Sequence, residues 1–419
     1  MKVDVSTSKS EIFLNPDSVN EKLKKAAALL KELYRDEDGN KVLGWLHAEA
    51  AAVQLDRIKA KAEEVRQRAE VFVLVGVGGS NQAARAVIEA LGKEDGPRIL
   101  YMGNTLSPHY INQMMGQLKD KSVYINVVAK NFETLEPGSH FRILRNYMEE
   151  TYSREEMADR VILTGTNGSK SEEIAKENGY TFFTFPEAIG GRYSAFSPVG
   201  LFPMAVAGLD IDKYLKGVSL AEAYCMEHAD RNPAVQYAAV RNLLYENNYN
   251  IEVLTAFEPQ YTYFSKWWIQ LFGESEGKNK MGIFPSAAIY SEDLHSLGQY
   301  MQDGRRNLLE TFIKIKNTNA SVIVKEDRSF GDGFDYLENM DFAAINKAAE
   351  KATIEAHCKG GVPCIEFEAD EISEETFGSL YYIFMLSCAI SGLLMGVNPF
   401  DQEGVEEYKR SMFKDLGKN

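Results

Sequence analysis

The stretch Glu187-Ala-Ile-Gly-Gly-Arg-Tyr-Ser-Ala-Phe-Ser-Pro-Val-Gly200 places a glycine pair, Gly190 and Gly191, directly before Arg192. Glycines let a backbone turn sharply and come close to a ligand. An arginine is always charged, and its fork matches an anion. Tyr193, Ser194 and Ser197 add hydroxyls to a plausible floor for an anionic site. A tight turn with a solvated arginine would read the same way. Glu274 lies at the end of an apolar helical run, between Gly273 and Gly277, with Glu276 close by. A carboxylate held in a largely apolar cleft can act as a general base near neutral pH. The pattern alone does not choose between Glu274 and Glu276.

His295 opens a helical stretch and can pass a proton to an oxygen, because histidine titrates in the useful range. Lys409 falls seven residues after Gln402, about two helical turns, so one helix would present both on one face. Lys130, in Ala129-Lys-Asn-Phe-Glu-Thr134, follows a strand and precedes a helix, where it could meet an anion. The run Glu70-Val-Phe-Val-Leu-Val-Gly-Val-Gly-Gly-Ser80 is continuous apolar sequence closed by glycines and a serine, and Asn81 to Leu91 reads as a helix. Strand, glycine loop and helix form a phosphate-cradling arrangement. It is neither a dinucleotide fingerprint nor a P-loop, since no Gly-Lys-Ser follows and the third glycine is absent.

The elements that must position these groups alternate. Arg98 to Gly103, Ser122 to Ala129, Arg160 to Gly165 and Tyr180 to Phe185 read as strands, separated by helices at Ser107 to Leu118, Glu136 to Thr151 and Ser171 to Glu177. Ser18 to Tyr34 and Gly44 to Arg68 read as helices before them, joined by a turn at Asp36 to Asn40, and a helical connector runs from Val199 to about Asn247. Strands at Tyr249 to Ala256, Leu309 to Lys316, Val322 to Glu326 and Val362 to Ala369 then alternate with helices at Gln260 to Gly273, His295 to Gln302, Asp341 to His357 and Ser373 to Val397, with a last helix from Gln402 to Leu416. Arg328 to Asn339 reads as a surface loop. This rhythm predicts an α/β chain with two α/β/α sandwiches, parallel sheets, and an active site between them. Ligands in such sheets lie beyond the carboxyl ends of the strands. The boundaries read as an N-terminal helical segment over 1–45, a first α/β domain over 46–200, the connector over 201–247, a second α/β domain over 248–400 and a C-terminal helix over 401–419.

Composition narrows the class. The chain has 419 residues and a net charge of −15, which argues against a general nucleic-acid binder. An anionic substrate would need a local cluster of cations to overcome that field. Cys225, Cys358, Cys364 and Cys388 lack metal-binding spacing and read as reduced thiols of a cytoplasmic protein. The first residues lack the apolar core of a signal peptide. Leu380 to Val397 is the most apolar run and reads as a buried core helix rather than a membrane span.

Together these segments resemble the glucose-6-phosphate isomerase, or phosphoglucose isomerase, family. The resemblance rests on Glu187 to Gly200 and on Gly392-Leu-Leu-Met-Gly-Val-Asn-Pro-Phe-Asp-Gln-Glu-Gly-Val-Glu-Glu-Tyr-Lys409. Gly76-Val-Gly-Gly-Ser80, Gly273-Glu-Ser-Glu-Gly-Lys278 and His295-Ser-Leu-Gly-Gln299 fall in the family's order. The resemblance implies two sugar-isomerase (SIS) domains and interconversion of glucose 6-phosphate and fructose 6-phosphate, with neither metal nor organic cofactor. It implies that Glu274 shuttles a proton between C1 and C2 through a cis-enediol and that Arg192 stabilises the enediolate. His295 and Lys409 would help open the sugar ring. The family's histidine comes from the neighbouring subunit, which implies a homodimer. Gly79, Ser80, Gly191, Gln270 and Gln402 match substrate-lining positions.

One segment departs from the family. Bacterial members carry Ser-Lys-Ser-Gly-Thr-Thr-Thr-Glu-Pro where this chain has Ala129-Lys-Asn-Phe-Glu-Thr-Leu-Glu-Pro137. Lys130 and Thr134 remain as phosphate contacts, and Asn131 could replace a lost hydroxyl. The altered loop keeps two alternatives open: the same mechanism on another phosphorylated or free sugar, and a non-catalytic sugar-phosphate-binding regulator.

Overall fold

The computed structural model describes residues 3–35, 42–130, 132–228 and 231–418. The turn expected at Asp36 to Asn40 and the candidate contact Asn131 lie outside the described residues. The chain opens on a short strand, β1 (Val3–Ser6), whose partner lies far along the sequence. The first sheet is made by β2 (Val71–Val75), β3 (Arg98–Met102), β4 (Val123–Val128), β5 (Val161–Gly165) and β6 (Thr181–Thr184). All its pairings are parallel, in the order β3-β2-β4-β5-β6, with Val73 in register with Leu100 on one side and Ile125 on the other. Every residue of β2, β4 and β5 is buried. Strands covered on both faces need such continuous apolar runs. From β2 the chain moves outward to β3 and then returns to the other side of β2. The crevice between the loops after β2 and β4 is therefore a topological switch point, where ligands of open α/β sheets bind.

The second sheet holds β7 (Ile251–Ala256), β8 (Phe284–Ile289), β9 (Leu308–Asn317) and β10 (Cys364–Glu371), in the order β1-β10-β9-β7-β8. The alternation predicted a wholly parallel sheet, but β1 pairs antiparallel with β10, Val3 facing Ala369. Lys9, just after β1, reaches Glu366 on β10 at 2.6 Å. Both β1 and β8 escape the sequence pattern. β1 is four residues long, and β8 reads Phe-Pro-Ser-Ala-Ala-Ile, with weak strand formers at its centre. Pro285 is tolerated because β8 lies at the sheet edge.

Two further expectations need correcting, and one helix was not expected. Val322 to Glu326 is not a strand of either sheet. It makes one isolated antiparallel bridge, Ile323 to Asp341, in an exposed loop. The helix expected over Gly44 to Arg68 is broken into Ala48–Ala51 and Leu55–Arg68 by Gln54, whose φ is +65°. The break turns the Gln54 side chain to accept the Thr184 N–H at 2.9 Å, a tie to β6 that local sequence does not reveal. A helix also forms over Arg154–Arg160, opened by a capping box between Ser153 and Glu156 that the sequence did carry.

Helices fill the space between the sheets. The Glu374–Leu394 helix is buried from Thr376 to Gly392 and packs against the Ile211–Glu227, Pro233–Glu246 and Thr262–Glu276 helices. It is long and apolar enough to cross a membrane, and it lies inside the protein core, as read from the sequence. One apolar cluster joins Phe72 and Leu74 of the first sheet to Leu254, Ile313 and Phe367 of the second. Within this core the Arg241 guanidinium pairs with Glu252 and with Glu276, the latter at 2.5 Å, and all three are fully buried. A buried charge persists only when paired in this way. The four cysteines are free thiols, and burial raises Cys225 and Cys388 to about 12.

Candidate active site

A cavity of about 710 Å³ opens at the switch point of the first sheet. Its walls come from the loops after β2 and β4, the turn around Arg192, the last turns of the Thr262–Glu276 helix, and the segment from Gln402 onward. Gly79 shows why the glycine loop is needed. A Cβ on Gly79 would lie 1.9 Å from the Gly191 carbonyl oxygen, so the two segments could not meet with any other residue there. Their contact sets the start of the Gly79–Leu91 helix against the Arg192 turn, with Ser80 and Gly191 both bordering the cavity.

Arg192 is 3% exposed, so its charge depends on protein partners. Its Nε donates to Ser275 Oγ at 2.9 Å, and Nη2 donates to the carbonyls of Pro399 and Asp401 at 2.6 and 3.0 Å. The remaining nitrogen, Nη1, faces Gln402 Oε1 at 3.3 Å and Glu274 Oε2 at 3.4 Å. Trp267 Nε1 donates to the Arg192 carbonyl at 3.1 Å and fixes the backbone. The guanidinium is thus clamped on two sides and offers its third to the cavity.

Distant residues send the two acids in different directions. Glu276 turns inward to Arg241, and burial raises its carboxyl against the pull of that guanidinium. Glu274 turns outward, is one-third exposed, and borders the cavity. Gln270, one turn earlier, donates from Nε2 to Glu274 Oε1 at 3.1 Å. The Gln270 side-chain oxygen is buried without a partner among the described residues. The carboxylate is therefore held by one neutral donor and one cation, with its face open to a small molecule.

Lys130 and Thr134 border the same cavity, but Lys130 Nζ donates to the carbonyls of Glu187 and Ile189, each at 3.1 Å. Burial pulls the Lys130 ammonium below the usual lysine range, opposed by the nearby Glu187. Thr134 caps the Leu135–Thr151 helix without a side-chain hydrogen bond. Gln402 and Lys409 both reach the cavity, though not from one helix face as expected. Gln402 is non-helical, with φ −159° and ψ 48°, before a short 3-10 turn, and the helix proper is Glu406–Asp415. Lys409 donates to Glu406 at 2.8 Å.

His295 stands apart from this group. It is exposed on the Leu294–Asp303 helix of the second half and does not border the cavity of its own chain. Sequence reasoning missed Ser275, the anchor of Arg192, and the cavity-lining Glu406, Tyr408 and Lys418. Ser275 had a signal, since it sits inside the Gly273-Glu-Ser-Glu-Gly-Lys278 motif. Among the described residues no group of three or more His, Cys, Asp or Glu side chains is arranged to hold a metal ion.

A family model described as phosphoglucose isomerase matches residues 55–418. A glucose-6-phosphate isomerase of Fusobacterium nucleatum subsp. nucleatum is 39% identical, over all of this chain and 96% of the relative. Among solved structures, a hypothetical protein from Thermus thermophilus superposes with a TM-score of 0.89 at 25% identity, covering 99% of each chain. A glucose-6-phosphate isomerase from Chlamydia trachomatis superposes with a TM-score of 0.83 at 18% identity, covering 99% of this chain and 88% of that one.

Proposed function

This chain belongs to the phosphoglucose isomerase family, and from that premise we propose that Glu274 is the base of its aldose–ketose isomerisation and Arg192 the group that stabilises the charge. The reaction is the interconversion of D-glucose 6-phosphate and D-fructose 6-phosphate. The observation that carries the residue assignment is the meeting of the Glu274 carboxylate and the Arg192 guanidinium, at 3.4 Å, on the wall of one cavity.

The chemistry follows from that pair. Glu274 removes the proton from C2 of the open-chain aldose, and the electron pair moves onto the C1 oxygen. The growing negative charge meets Arg192, which is already oriented by Ser275 and two carbonyls and needs no rearrangement. The hydroxyl proton on O2 passes to O1, and the protonated Glu274 returns its proton to C1 of the cis-enediol, giving the ketose. Gln270 keeps the carboxylate oxygen directed at the two carbons. Lys409 and His295 move protons on and off the sugar oxygens during ring opening. Ser80, Gly79, Lys130, Asn131, Thr134, Gly191 and Gln402 hold the substrate. Turnover should be measured on glucose 6-phosphate beside free glucose, and the phosphorylated sugar should be strongly preferred. Comparable rates would move the activity to unphosphorylated sugars.

The protein acts as a homodimer in this reading, with His295 supplied by the neighbouring subunit. Supporting it, His295 is exposed on the helix whose Leu297 and Tyr300, three residues apart, are 37% and 47% exposed, an apolar patch that a second copy would cover. Complementation tests it. A Glu274→Gln chain and a His295→Ala chain, each inactive alone, should regain about a quarter of parental activity when unfolded and refolded together, since half the dimers are mixed and each mixed dimer holds one intact site. If His295 serves its own chain, mixing restores nothing.

A further inference from the structure

The last described residues line the cavity wall. Gly417 takes a φ of +75°, which a side chain would resist, and it lets the Lys418 N–H bond the Phe413 carbonyl at 2.9 Å and its own N–H bond the Lys414 carbonyl at 3.1 Å. This turn closes the Glu406–Asp415 helix and directs Lys418 into the wall beside Phe413, where its Nζ lies 4.3 Å from the ring centre.

The cations of the cavity wall are otherwise engaged. Arg192 serves Glu274, Ser275 and backbone carbonyls, Lys409 holds Glu406, and Lys130 already donates to two carbonyls, which leaves it one N–H for the substrate. Glu133 and Glu136 add negative charge to the same wall. A phosphate monoester brings a further charge of about −1.5 to −2. The starts of the Gly79–Leu91 and Leu135–Thr151 helices face the cavity and favour an anion. Lys418 is the wall cation whose side chain makes no hydrogen bond or ion pair among the described residues, and its ammonium has only the Phe413 ring as partner.

We propose that Lys418 is a substrate-binding residue whose ammonium pairs with the phosphate of the sugar phosphate. The inference rests on the sugar-phosphate reading of the cavity and adds a residue to it. Lys418 is exposed, so its replacement leaves the fold intact.

The test uses the full chain with Lys418→Gln and Lys418→Arg. For the Gln variant, the KM for fructose 6-phosphate and the inhibition constant of inorganic phosphate should both rise about tenfold, the lower end for a charged hydrogen bond, with kcat little changed. The Arg variant should recover most of the loss. Unchanged KM and phosphate inhibition would overturn the proposal. So would a fall in kcat with phosphate inhibition intact, since that places Lys418 at the reacting carbons. Failure of the isomerase reading shows separately, as absent turnover in the parent protein. Calorimetric binding of inorganic phosphate to parent and Lys418→Gln then still decides the role of Lys418.

Discussion

Replacing Glu274 with glutamine is expected to lower kcat by about 10²- to 10⁴-fold, the usual worth of a positioned general base, while KM changes little. The amide has the shape of the carboxylate and can still accept the Gln270 hydrogen bond through its oxygen. What it lacks is the lone-pair basicity to take a proton from carbon. Glu274 is one-third exposed, so the thermal midpoint should hardly move. Steady-state kinetics beside a melting curve reads both. Turnover within a factor of about ten of the parent would remove Glu274 from the proton transfer.

Arg192→Ala is expected to lower kcat by about 10²- to 10³-fold, comparable to deleting one preorganised donor from an oxyanion site. It should also destabilise the protein, because the carbonyls of Pro399 and Asp401 lose a shared donor in a buried place, at about 1–3 kcal/mol for each group left unpaired. The two effects separate with Arg192→Lys. An ammonium restores the charge without the fork, so catalysis should return in part while the two carbonyls stay poorly served. Urea unfolding and kcat measured on the same preparations distinguish them. Loss of stability with kcat preserved in the alanine variant would reduce Arg192 to a structural brace.

Much of this site was legible because its parts are local. The buried strand and glycine loop of Glu70 to Ser80, the glycine pair before Arg192 and the apolar helix ending at Glu274 each carry their meaning within a dozen residues. The misses share a physical cause, since they depend on partners far along the chain. Nothing near Gln54 says that its side chain will bond β6. Nothing near Glu276 says that Arg241 will take it, and so leave Glu274 as the acid facing the cavity. β8 hides because an edge strand can keep proline, serine and alanine. Val322 to Glu326 has the composition of a strand but finds no sheet edge to pair with. The shared face expected for Gln402 and Lys409 assumed a helix that starts four residues too early.

The pairing of β1 with β10 also fixes an order of events during synthesis. Lys9 and Glu366, which meet at that seam, are 357 residues apart in sequence. At roughly 5–20 residues per second, the opening strand waits on the order of 20 to 70 seconds for its partner to leave the ribosome. The first sheet, built wholly from β2 to β6, needs nothing from the later chain for its own strand pairing and can assemble in that interval. The opening strand meanwhile carries unpaired backbone groups, which a covering chaperone or the growing chain must shield until β10 has emerged.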